Sequence, residues 1–322
     1  MPTWLNPAGM DLQRWRELGV PEDFARRQLR IMSAMEAMGI APTATCTPYL
    51  AGLLPHYREH IAWSESSAVS FANSVLGART NREGGPSALA AALLGITPEY
   101  GLHLDEKRKP TVRLVVRCPL RSNADFGVLG FWAGQQVKDG IPLIEGIERA
   151  STDDLKALGA AMAATGAVAL YHAREHTPEA DRFDGDGLPV LEYQDRQRSE
   201  TLRALDCGKR PDIVVLGCPH ASIQEIAYVA SRLAGRRLNR PLWVCTSRVM
   251  KQLADGLGHT RAIEDAGGRV VADTCMVVSP MEAMGFSVSG VSSGKAANYL
   301  PGFCSQEVVF GDVDALIEEA LS

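Results

Sequence analysis

The sequence predicts an α/β protein built on parallel sheets of βα units flanked by helices. Two observations carry that prediction. From residue 213 onward, short β-branched runs alternate with helical stretches of about 10–15 residues, the spacing of strands joined by crossover helices. The pairs are "DIVVLG" with "SIQEIAYVASRLAG", "PLWVCTS" with "RVMKQLADGLG", "RVVADT" with a cysteine-bearing loop, and "EVVFG" with "DVDALIEEAL". The 322 residues are also 46% hydrophobic, enough to bury the core of one large or two medium domains.

The earlier part of the chain reads less regularly. Residues 10–38 have helical patterning, interrupted at Pro21 and ended at Gly39. Pro48 argues against a continuous helix over 43–55, which puts Cys46 on a loop or at an element's end. Residues 63–95 are rich in Ser, Asn and Gly, as close helix contacts or backbone approaching a ligand require. "TVRLVVRCPL" alternates as a strand should, "DFGVLGFWAGQQVKDG" opens as an acid-capped helix, and Ser151 or Thr152 caps the helix of "STDDLKALGAAMAATG". "AVALYH" reads as a buried strand, and the polar residues 174–200 read as a linker or surface loop. The expected division is an N-terminal part, 1–190, and a C-terminal α/β subdomain, 191–322.

A net charge of −5 argues against nucleic acid as a partner. No apolar run reaches membrane-spanning length and the N-terminus lacks the pattern of a signal peptide, so no membrane partner is expected. Seven widely spaced cysteines do not make a disulfide framework, and a reducing cytoplasm is the expected location.

Three cysteines stand at comparable places. Cys218 follows "DIVVL", Cys275 follows "RVVADT", and Cys46 follows the short β-branched stretch "TAT". Parallel sheets take ligands beyond the carboxyl ends of their strands. Three thiolates there could hold an iron–sulfur cluster with one iron lacking a protein ligand, a Lewis acid for a substrate hydroxyl. The alternative is that all three are small buried apolar residues. Zinc is a third reading, without CxxC or paired histidines to support it. Cys118, Cys207, Cys245 and Cys304 read as structural, the first and third within strands and the other two in polar segments.

The blocks "TATCTPY", "WSESSAVSFANSVLGARTNREGG", "YGLHLD", "GAVALYH…TPEA", "VVLGCPHAS", "VVADTC" and "SSGKAANYLPG" resemble, in order and over almost the whole chain, the signatures of the aconitase X family. The resemblance implies an aconitase-like fold in which 1–190 is the N-terminal part of a catalytic domain. It implies a hydro-lyase (a dehydratase) acting on a small hydroxy acid, with cis-3-hydroxy-L-proline placed first and phosphomevalonate as the alternative. A truncated, non-catalytic scaffold that binds a small subunit is the reading of another class. The resemblance also implies an iron–sulfur centre, [2Fe–2S] or [4Fe–4S], or a single iron, on Cys46, Cys218 and Cys275. Substrate contacts carry over to Asn6 and Pro7 of "LNPAG", Glu65 and Ser66 of "WSESS", and Lys295 of "SSGKAANY", with Glu65, Ser66 and Lys295 as the catalytic candidates.

Those residue types suit loss of water β to a carboxylate. Lys295 supplies a point charge for the carboxylate, and Glu65 is a candidate acid or base. The resemblance implies instead that a serine of a small swivelling subunit is the base. Against the family pattern, "PTWLNP" lies beside Met1 where relatives carry several dozen further residues, and the swivel domain is absent, so activity of this chain alone is doubtful. Each candidate also has a plain structural role open to it. Glu65 could cap a helix, Lys295 could be a solvated loop lysine, and His220 could bond backbone at the strand end. Arg79 and Arg82 could hold loops by ion pairs, Asn73 and Asn81 could cap them, and His103, His172 and His176 have no ligand spacing.

Overall fold

The computed structural model describes residues 1–322, and these form two compact units: Met1 with 53–203, and 2–52 with 204–322. The division expected at residue 190 therefore falls near 203, and residues 2–52 belong with the C-terminal part.

The second unit opens with β1 (Trp4–Leu5), α1 (Glu22–Ala37) and β2 (Ala41–Ala44), in which β1 and β2 pair in parallel. Helix α1 begins only after Pro21, so the helix expected from residue 10 is shorter. Asp11 caps the turns before it, its Oδ1 accepting from the backbone N–H groups of Gln13 (2.9 Å) and Arg14 (3.0 Å), and Gly19 at φ +77° with Pro21 keeps those turns from running on into α1.

The first unit contains α2 (Ser66–Ser74), α3 (Gly85–Leu94), β3 (Val112–Val116), α4 (Asn123–Val137), β4 (Pro142–Glu145), α5 (Thr152–Thr165), β5 (His172–Ala173), β6 (Val190–Tyr193) and most of α6 (Asp195–Leu205). Its four strands are parallel in the order β5-β4-β3-β6. Ser122 with Asp125 and Ser151 with Asp154 form capping boxes at the starts of α4 and α5. A methyl group at Gly130 would collide with the Leu158 carbonyl and Ala161, so the glycine lets α4 lie directly on α5. Leu114, Phe126, Leu129, Ile144, Leu158 and Met162 fill the space between them and the sheet.

Two expectations are corrected in this unit. "AVALYH" supplies strand only at His172. The peptide groups before it are satisfied from α2 instead: Asn73 Nδ2 donates to Ala169 O (2.9 Å), and Tyr171 N donates to Ser74 Oγ (2.9 Å). The supposed linker 174–200 contains β6, an edge strand with Val190 and Glu192 exposed, which hides it in a polar composition.

The second unit resumes with β7 (Ile213–Leu216), α7 (Ile223–Leu233), β8 (Leu242–Thr246), α8 (Arg248–Gly256), α9 (His259–Asp265), β9 (Arg269–Ala272), β10 (Val288–Val291), α10 (Gly294–Cys304), β11 (Glu307–Phe310) and α11 (Val313–Leu321). All five strands are parallel in the order β11-β10-β7-β8-β9. The chain winds from β7 to β9 in one direction and then crosses back to β10. The order therefore reverses between β7 and β10, and the carboxyl end of such a reversal is a natural ligand crevice. No helix of the chain is long and apolar enough to cross a membrane.

Candidate functional site

Cys218 and Lys295 follow the two strands that flank this reversal. Strand β7 runs into Gly217, whose φ is +89°, and a side chain there would run into the Cys245 carbonyl of β8. A glycine is thus required for the chain to turn off the sheet into Cys218, cis-Pro219 and His220. Lys295 lies in the first turn of α10, behind the N-cap Ser293, and is 5% exposed. Its burial sets aside the reading of a solvated loop lysine.

The other two cysteine-bearing segments reach the same place through backbone pairing. Thr45 N donates to Leu5 O (2.9 Å), and on the far side Cys275 N donates to Ala8 O (2.8 Å) while Ala8 N donates to Asp273 O (2.8 Å). Asn6, exposed, and Pro7, half-buried, therefore run between the segment of Cys46 and that of Cys275. His220 completes the join. Its backbone N–H donates to Cys46 Sγ (3.1 Å), its Nδ1 lies 3.1 Å from Thr45 Oγ1 and its Nε2 lies 2.9 Å from Thr274 O. It does bond backbone at the strand end, as its structural reading requires.

The electrostatics agree with that convergence. Burial pushes the Cys245 thiol of β8 well up, and the charges of Cys275, Cys218 and Cys46 push it further in the same direction. Cys245 stays a protonated core thiol within electrostatic reach of all three. Cys304 is buried at the end of α10 rather than in a polar segment, and its Sγ contacts the carbonyls of Met276 and Ser279 at 3.5 Å. No group of three or more His, Cys, Asp or Glu side chains stands where it could hold a metal ion. The donor set nevertheless fits an iron–sulfur centre: three thiols, soft donors, on loops pinned to one another.

A second tie fixes the loop before Cys275. Arg248 NH2 donates to Asp11 Oδ1 (2.7 Å) and also to Asp273, and Asp11 Oδ2 accepts from Ala272 N (3.2 Å). Asp273 adopts φ +62°, a left-handed conformation that turns the chain sharply into Thr274 and Cys275. Burial raises its carboxyl, and Arg248 opposes that rise. Sequence reading missed Asp11, Arg248, Thr45 and Thr274. Thr45, Thr274 and Arg248 lie in the recognisable stretches "TATCTPY", "VVADTC" and "RVMKQLADGLG", but nothing in their spacing revealed their partners.

Glu65 and Ser66 belong to the other unit. Glu65 is the N-cap of α2, and its Oε1 accepts from Ser67 Oγ (3.0 Å) and Ser67 N (3.4 Å); Ser66 is buried in the first turn. The block "NSVLGARTNREGG" is mainly architectural. Arg79 is 2% exposed and pairs with Asp105 and with Glu179 (3.3 Å). Arg82 NH1 donates to Ala163 O (3.2 Å). Asn73 exchanges bonds with Thr80, and Asn81 holds Leu102 N and Tyr100 O. His172 and His176 each face a backbone carbonyl, at 2.8 and 2.9 Å, while His103 pairs ring to ring with His60.

Comparison with known proteins agrees along the whole chain. Family models described as aconitase X first, second and third domain match residues 1–106, 110–203 and 211–322. The phosphomevalonate dehydratase large subunit of Methanocaldococcus jannaschii is 51% identical over 328 residues, 98% of this chain and 80% of that protein. The cis-3-hydroxy-L-proline dehydratase of Pseudomonas aeruginosa is 36% identical, over 100% of this chain and 58% of that protein. The crystal structure of Thermococcus kodakaraensis aconitase X in its holo-form superposes with a TM-score of 0.93 at 43% identity, covering 99% of this chain and 81% of that one.

Proposed function

Because the chain belongs to the aconitase X family and is a hydro-lyase, we propose that it is the large subunit of a phosphomevalonate dehydratase, completed by a small subunit. Sequence reading placed cis-3-hydroxy-L-proline first, and the comparisons favour the alternative. Identity is 51% to a phosphomevalonate dehydratase large subunit against 36% to a hydroxyproline dehydratase. The chain also covers 80% of the former and only 58% of the latter.

The observation that carries the catalytic reading is the meeting of the three cysteine loops at the carboxyl end of the sheet whose strand β10 leads into Lys295 and α10. When bound on Cys46, Cys218 and Cys275, an iron–sulfur centre supplies a Lewis acid toward the leaving hydroxyl. Lys295 and the first N–H groups of α10 are suited to grip an anionic substrate group, phosphate or carboxylate, since a helix start presents donors and positive potential together. Asn6 offers amide donors and acceptors beside the Cys275 loop, and Pro7 keeps that segment extended. Glu65 and Ser66 are the proposed proton-handling and hydrogen-bonding residues of the first unit.

The test is reconstitution with ferrous iron and sulfide without oxygen, alone and co-expressed with a small subunit, followed by assay on phosphomevalonate and on cis-3-hydroxy-L-proline. Cys46→Ala, Cys218→Ala and Cys275→Ala should lose the visible absorbance of the centre, and Cys245→Ala should keep it. Equal iron in wild type and Cys218→Ala removes the ligand assignment. Turnover of hydroxyproline alone removes the substrate assignment. A complex that carries iron and turns over neither would be the scaffold.

A further inference from the structure

We infer that His220 is the positioning residue of the cysteine triad, a single imidazole that sets the spacing of the three thiol-bearing loops. This rests on the proposed role of Cys46, Cys218 and Cys275 as ligands.

Nε2 faces the Thr274 carbonyl at 2.9 Å, and a carbonyl can only accept, so Nε2 carries a hydrogen. Nδ1 pairs with the Thr45 hydroxyl at 3.1 Å, the ring's second bond. Thr45 Oγ1 in turn accepts from Thr47 N at 3.0 Å. The ring thus spans the residue before Cys275 and the residues on both sides of Cys46. Its own backbone lies two residues beyond Cys218 and donates to Cys46 Sγ at 3.1 Å.

His220 is 1% exposed, Thr45 3% and Thr274 0%, so no water competes for these bonds. A displacement of the ring breaks at least one of these bonds. Partners one step behind a metal's ligands orient those ligands, and N–H groups on ligand sulfur tune an iron–sulfur centre.

The experiment compares wild type, Thr45→Val, His220→Ala, His220→Gln and the ligand control Cys218→Ala. Each chain is reconstituted with ferrous iron and sulfide and transferred to an excess of an iron chelator. Three quantities are read: the rate of iron release, the spectrum of the reduced centre, and the melting temperature of the iron-free chain. Thr45→Val removes one hydroxyl at nearly constant shape. It should leave iron-free melting close to wild type, shift the spectrum and speed iron release by roughly tenfold. His220→Ala should release iron faster still. His220→Gln, whose amide can again donate toward the Thr274 carbonyl, should recover part of the loss.

A residue that only supports the fold would lower iron-free melting and leave release unchanged. Wild-type release and spectrum in Thr45→Val and His220→Ala, with iron lost in Cys218→Ala, would overturn the inference while leaving the ligand reading intact. Full iron in Cys218→Ala overturns both.

Discussion

The two units hold their signature residues by different means. In the first, Glu179 (2% exposed) takes Arg108 Nε at 2.8 Å on one oxygen and Arg79 at 3.3 Å on the other, with both arginines buried. Arg108 also donates to Asn73 Oδ1 (3.1 Å), Asn73 O (2.9 Å) and Leu102 O (3.1 Å), and burial draws its guanidinium below the ordinary value. In the second, the loops of Cys46, Cys218 and Cys275 meet through bonds among His220, Thr45, the Thr274 carbonyl and Cys46. A buried ionic knot fixes a fold and leaves no acceptor over for a ligand. Around the three cysteines the loops are joined by His220, and the ionic tie there, Arg248 with Asp11 and Asp273, holds only the turn before Cys275. "NSVLGARTNREGG", the most distinctive block of the chain, is thus largely architecture, while the shorter "VVLGCPHAS" and "VVADTC" carry two of the three cysteines proposed as ligands.

The largest effect that would break this contrast comes from Glu179→Ala. It leaves two buried guanidinium groups without their shared carboxylate, a loss of about 3–5 kcal/mol. Thermal melting followed by circular dichroism should fall by roughly 10 °C or more. A melting point within about 2 °C of wild type would mean the knot contributes little and the contrast is only geometric.

Next comes pH. His172 is buried, its Nε2 lies 2.8 Å from the Arg108 carbonyl, and its ring packs on Phe183. Burial lowers its value from 6.5 to about 4. The unfolded chain therefore binds this proton where the folded chain does not. Stability from this group is complete above about pH 6.5, declines as pH falls toward 4, and amounts to about 3 kcal/mol across that window. Denaturant midpoints of wild type should fall over that range more steeply than those of His172→Gln. Parallel pH profiles would remove His172 as the cause.

Much of this was legible beforehand, and what was not has identifiable causes. The C-terminal βα alternation was readable because buried parallel strands are continuous apolar runs, as in "DIVVL" and "PLWVC". Strand β10 passed unnoticed because "VSGV" contains Ser289 and Gly290, and Ser289 is satisfied by Gln306, a partner 17 residues away. Strand β6 hid in a polar edge, and "AVAL" looked like a strand because burial and pairing are separate conditions. The cysteine positions could be read from their places after strands. The way Asn6 and Pro7 thread between two of those loops could not, because it depends on pairings across more than 260 residues, such as Ala8 with Thr274.

The smallest predicted change in stability, at Glu65, is also the one that best sharpens the comparison, because there a structural and a chemical role coincide. Its carboxylate caps α2, but the bond from Ser67 N is 3.4 Å, at the long end for N–H to oxygen, so the cap is weak. Glu65→Ala should then cost no more than about 1 kcal/mol, a melting shift of a few degrees. Glu65→Gln keeps Oε1 as an acceptor for Ser67 and should leave melting unchanged, yet an amide cannot exchange a proton. If Glu65 moves the substrate's proton, the proposed complex with a small subunit, carrying Glu65→Gln, should lose about 10²–10⁴-fold in kcat with its melting intact. If kcat stays within about tenfold, Glu65 is a cap alone, and the proton-handling group must be sought elsewhere, first on the small subunit.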